Sequence, residues 1–156
     1  MQRAIRRIGI VAAGLVGLVG LGGPGAQAAA VNPYPPQGLC GPGFVSVDQD
    51  PIRNAVTGER LGTVHLLHNP FTGYGCTVTL KPAYLGSLTR TQVYLDPELM
   101  PSFSVDDGNR LYAAGPVYGY VGTGCAIWGG AMADPSGTLH RHDRANPAIG
   151  GAVTCF

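Results

Sequence analysis

The sequence predicts an all-β fold, a small disulfide-stapled antiparallel β-sandwich, and three observations predict it. Apolar and polar residues alternate, mostly with period two, through short segments after Cys40. Turn clusters rich in Asn, Asp, Gly and Pro separate those segments. Four cysteines lie in a chain whose start reads as an export signal, a setting in which cysteines pair. No segment carries a sustained helical stripe with caps. At 156 residues the chain holds one ordinary domain.

The chain opens with Arg3, Arg6 and Arg7, followed by an apolar run from Ile8 to Leu21 and the small residues Ala26-Gln27-Ala28. A basic start, a short apolar stretch and an A-x-A site define a signal peptide over residues 1–28, cut after Ala28. The run is shorter than the roughly 20 residues that span a bilayer, so export is expected and a membrane anchor is not. Residues 29–39, with Asn32-Pro33-Tyr34-Pro35-Pro36, read as an extended, solvated Pro-rich arm. Residues 40–156 form the single β domain.

Within it, Thr63 to Leu66 alternates, and Cys76, Val78 and Leu80 share one face of the next segment. Val93 and Leu95 line one side of Thr91 to Leu95, and Tyr118 and Tyr120 alternate with Val117, Gly119 and Val121. Cys125 to Met132 is an apolar strand, and Ala152 to Cys155 closes the chain. The turns between them are Asn69-Pro70, Thr72-Gly73, Asp106-Asp107-Gly108-Asn109 and Asp134-Pro135-Ser136-Gly137. Asp48 and Asp50, ahead of Pro51, read as turn and cap chemistry, and Pro97 to Pro101 as one helical turn at most.

Cys40, Cys76, Cys125 and Cys155 allow three pairings. The expected one is Cys40–Cys76 with Cys125–Cys155, and the chain-entropy model assigns each bridge roughly 3.5–4 kcal/mol. No C-x-x-C occurs, so neither a zinc ribbon nor a redox pair is expected.

Charge excludes further classes. The full chain carries 10 Lys+Arg against 9 Asp+Glu. Removing residues 1–28 takes away three arginines and no acid, leaving a net charge of −2. Such a protein has no basic field for nucleic acid, and no affinity for an anionic membrane once the signal is gone.

An ordered set of pieces runs through the domain: Cys40-Gly41-Pro42-Gly43-Phe44, Gly62-Thr63-Val64-His65-Leu66 with Asn69, Thr72-Gly73 and Cys76-Thr77-Val78-Thr79. It continues with Asp106-Asp107-Gly108, Ala114-Gly115-Pro116-Val117-Tyr118, Cys125, Ile127-Trp128-Gly129-Gly130 and Cys155. The set resembles the spore-associated protein A family, small secreted proteins of actinomycetes. The resemblance implies a non-enzymatic protein of the spore or outer cell surface, with no catalytic residues to carry over. Gly75 and the His- and Arg-richer tail from Asp134 to Pro147 depart from the family pattern.

For chemistry, neither G-x-S-x-G nor H-E-x-x-H is present, and catalytic residues, metal and cofactor are all expected to be none. His140-Arg141-His142-Asp143 is the densest titratable cluster; two imidazoles on one side of an extended segment resemble half a zinc or copper seat. Turn residues flank it, so a solvated loop is expected. His65 and His68, three apart, fall on opposite strand faces. Tyr118, Tyr120 and Trp128, beside Gly119, Gly129 and Gly130, are the candidate ligand contacts, since flat aromatic rings with a polar edge suit a glycan or a protein. The competing role is core filling, expected for Trp128 and evenly balanced for the tyrosines. The functional expectation is a secreted, non-enzymatic protein on a spore or cell-wall surface. A glycan- or protease-directed binding module is the alternative, and a small hydrolase or metal protein a third. The sequence leaves oligomeric state open.

Overall fold

A computed structural model describes residues 31–156. The signal-peptide expectation over 1–28 lies outside the described residues. Among the described residues one short helix, α1 (Pro36–Cys40), precedes nine strands: β1 (Val45–Arg53), β2 (Arg60–Asn69), β3 (Tyr74–Leu80), β4 (Thr89–Pro97), β5 (Ser104–Arg110), β6 (Ala113–Tyr120), β7 (Cys125–Ala133), β8 (Leu139–Arg141) and β9 (Ala152–Cys155). All pairings are antiparallel. The first sheet has the order β1-β2-β3-β6; the second runs β5-β4-β7-β8, with β9 pairing the other half of β7. No helix among the described residues is long and apolar enough to cross a membrane.

Period-two alternation places one set of side chains between the sheets. Val64 and Leu66 of β2, Val93 and Leu95 of β4, Val117 of β6 and Trp128 of β7 meet there with Val121. A second apolar cluster lies on the outer side of the first sheet, where Leu67, Cys76 and Val78 are roofed by Leu39, Cys40 and Phe44. The Cys40–Cys76 disulfide ties that roof down, and Cys125–Cys155 joins directly paired residues of β7 and β9.

Both open sides of the sandwich are closed by a carboxylate. On one side Asp106 of β5 accepts a hydrogen bond from the Gly115 amide of β6 at 2.7 Å and pairs with Arg110. On the other, Asp50 of β1 holds the segment after β8 through Arg144 and His142. A bridge between Ile52 and His142 continues the closure.

Four expectations are corrected here. Asp106-Asp107-Gly108-Asn109 is no turn but the middle of β5, whose side chains alternate in exposure and whose carboxylates find Arg90 and Arg110. Asp48 and Asp50 lie inside β1, because Arg144 satisfies both carboxylates from across the fold. The His140–Asp143 segment is no solvated loop: β8 pairs β7, and His140 and His142 are buried. The arm is neither extended to its end nor fully solvated. Pro36–Cys40 is helical, and Asn32 donates to the carbonyls of Lys81 and Tyr112 at 3.0 and 2.8 Å. Pro97 begins a hydrogen-bonded turn to Met100.

Candidate functional site

The register of β3 against β6 places Cys76 opposite Tyr118 and Tyr74 opposite Tyr120. Directly opposed residues share a face. Cys76 bonds outward to Cys40, so all three tyrosines stand on the outer side of the first sheet. Their exposures are 43% for Tyr74, 39% for Tyr118 and 43% for Tyr120. Gly75, Gly119 and Val117 point the other way, toward the second sheet.

The rings are held rather than loose. The Tyr118 hydroxyl donates to the Cys40 carbonyl at 3.1 Å, and its ring lies 5.7 Å from that of Phe44. Tyr74 and Tyr120 meet edge to face at 5.7 Å. Below Tyr120 the β2–β3 hairpin turns at Gly73, which has a positive φ of 71° and sits where a Cβ would strike the Tyr120 ring. Phe71 at that tip is 92% exposed. The result is a row of rings along one sheet face, each braced by backbone or by a neighbouring ring.

Trp128 does not join this row. It is fully buried, and its indole N–H donates to the Thr154 hydroxyl at 2.9 Å. The His142 ring stacks on it at 5.7 Å, and the Arg144 guanidinium lies 5.6 Å from the ring centre. The glycines beside it admit the protein's own side chains. A Cβ on Gly129 would collide with the Tyr94 hydroxyl and His142 Nε2, and one on Gly130 would meet Thr79. Gly119 is covered in the same way by the Pro97 ring.

The titratable cluster of the tail is split into two carboxylate pairs. His142 Nδ1 lies 2.8 Å from Asp50 Oδ2, and Asp50 also accepts from the Arg144 amide at 2.7 Å and from Arg144 Nε at 3.0 Å. Burial pushes the Asp50 carboxyl up, but these hydrogen bonds outweigh it and hold the group below its ordinary value. Burial lowers the His142 imidazole, outweighing the carboxylate beside it. His142 is therefore neutral, donating from Nδ1; its buried Nε2 has no hydrogen-bond partner. His140 accepts from the Ala55 amide through Nδ1 at 3.2 Å and faces Asp134 through Nε2 at 3.0 Å. Hydrogen bonds from Ser136 and then His140 hold Asp134 well below the carboxylate range. Each imidazole thus serves its own carboxylate, and no group of three metal-ligating residues converges among the described residues. His65 and His68 do fall on opposite faces, paired with Val78 and Gly75.

Two parts of this picture escape the sequence reading. Tyr74 carries a usable signal: it stands two residues before Cys76, on that residue's face. Arg144 carries none, since its partners Asp48 and Asp50 lie more than ninety residues away.

Fold and site together define a disulfide-stapled β-sandwich with a tyrosine-lined outer face, its histidine–carboxylate pairs spent on closing the fold. The chain is 32% identical over 125 residues to Spore-associated protein A of Streptomyces coelicolor, covering 80% of this chain and 75% of that protein. The chain belongs to the spore-associated protein A family. No family model matches the chain, and no solved structure matches it.

Proposed function

We propose that this is an exported, non-enzymatic envelope protein that attaches to the spore or cell-wall surface through Tyr118 and Tyr120. The observation that carries the reading is the row formed by Tyr74, Tyr118 and Tyr120 on one exposed sheet face. Rings fixed in advance lose little freedom on binding, so their apolar faces and hydroxyl edges are turned into affinity efficiently. Membership of a family whose Streptomyces representative is called spore-associated agrees with attachment to a spore. Two disulfides suit the oxidising exterior that export reaches. A non-catalytic role is supported by the burial of His140 and His142, each bonded to a carboxylate.

The test is co-sedimentation of the oxidised protein, expressed from its full sequence, with washed spores, hyphal walls and protein-free wall glycan. Saturable binding is expected, weakened about tenfold or more, roughly 1.4 kcal/mol, in Tyr118→Ala/Tyr120→Ala with an unchanged far-ultraviolet spectrum. Failure of the unaltered protein to bind any of the three sinks the proposal. The second reading, a secreted module that binds a glycan or inhibits a protease, is favoured by the same rings. Binding to purified glycan in preference to spores is its signature.

A further inference from the structure

We infer that the outer face of the second sheet is the contact surface of a symmetric dimer, occupied by a second copy of this chain. The inference is independent of envelope attachment, which uses the opposite sheet. The outward positions of β5, β7 and β9 include Val105, Ile127 and Val153, and the adjoining loops add Phe103 and Ile149. Phe103 is 61% exposed and Val153 55%, so this face presents apolar surface to solvent. Two clefts cross this face and share Asp96, Ile127 and Ile149 as their common wall. On the first sheet's outer side the apolar cluster of Leu67, Cys76 and Val78 is roofed by the protein's own chain and a disulfide. Among the described residues the second sheet has no such roof over Phe103, Val105 and Val153.

Charge identifies the occupant. Arg141 pairs with Ala131, which faces Gln92 on β4, and Asp96 lies four residues further along β4, so the two charges stand at opposite corners of one cleft with Tyr94 between them, and Glu98 stands beyond Asp96. Both Arg141 and Asp96 are exposed, and neither forms an ion pair among the described residues. A patch that carries both signs at opposite corners complements itself. A twofold axis lying in the face, midway between the two charges, sets the Arg141 of each copy against the Asp96 of the other. An isologous interface requires this self-matching, whereas a foreign partner requires complementarity elsewhere.

The experiment is analytical ultracentrifugation of the oxidised protein with two charge reversals, Arg141→Asp and Asp96→Arg, each checked for an unchanged far-ultraviolet spectrum. The unaltered protein is expected to move from one to two chain masses as its concentration rises through the micromolar range. Each variant alone places like charges face to face twice and is expected to stay monomeric. Their equimolar mixture rebuilds both opposite-charge contacts and is expected to dimerise. A monomeric unaltered protein at the highest concentration overturns the inference. So do variants that dimerise alone, or a mixture that stays monomeric while the unaltered protein dimerises.

Discussion

At Asp50 one carboxylate accepts from a backbone amide, an imidazole and a guanidinium, and those three donors come from His142 and Arg144 at the far end of the chain. Breaking a buried charge network by deleting one partner strands the others, at a cost of about 3–5 kcal/mol. Asp50→Ala is therefore expected to lower stability by that amount in urea melts, while Asp48→Ala, whose exposed partner is Arg144, costs under about 1 kcal/mol. Equal effects of the two substitutions would refute the network. The sequence misplaces Asp50 because Asp48-Gln49-Asp50-Pro51 has local turn chemistry, and the donors that override it are remote. Pro51 is tolerated because β1 is an edge strand, and there its carbonyl accepts from the Asp143 amide at 2.9 Å. Trp128 is legible by contrast: its burial follows from an apolar strand beside a cysteine.

Among the elements, the strands with an apolar alternating face or an apolar run, β2, β3, β4, β6, β7 and β9, are visible in the sequence. Those missed, β1, β5 and β8, are polar or short, and pairing to a neighbour rather than their own pattern makes them strands. β5 is the clearest case. Asp107 answers Arg90 on β4 across the pair, a cross-strand contact that no local turn propensity reports. α1 is held from outside rather than from within, since five residues are too few to be helical alone. Replacing Cys40 and Cys76 together by Ser is expected to remove roughly 3.5–4 kcal/mol on the chain-entropy estimate. Hydrogen exchange should then rise first in residues 36–44, whose packing onto Leu67 and Val78 the bridge enforces. Uniform acceleration across all strands would argue that the bridge supports the whole fold instead.

For the molecule as a whole, three imidazoles set the response to acid. Burial lowers His65 to about 4, with Arg60 adding to it, and burial also lowers His68 and His142. A histidine whose folded value lies below the unfolded 6.5 favours the fold while neutral. Its contribution is complete above pH 6.5 and is lost as pH falls from there toward the folded value. Asp50, Asp106, Asp107 and Asp134, all lowered, lose theirs below the unfolded 3.8. The melting temperature is thus expected to decline in two stages, from pH 6.5 toward 4 and again below 3.8, with His65→Gln flattening the first. A melting temperature constant down to pH 4 would contradict this. The closure of both sides of the sandwich bears on crowding as well. The carbonyls of Gln49 and Pro51 on β1 already accept from Arg144 and Asp143, and on β6 the Tyr118 carbonyl accepts from the Ser104 hydroxyl while the Gly115 amide donates to the Asp106 carboxylate. Neighbouring molecules are denied those backbone positions as templates for adding strands. A dense layer of such molecules grows by side-chain faces meeting, and is guarded against hardening into a cross-β fibre.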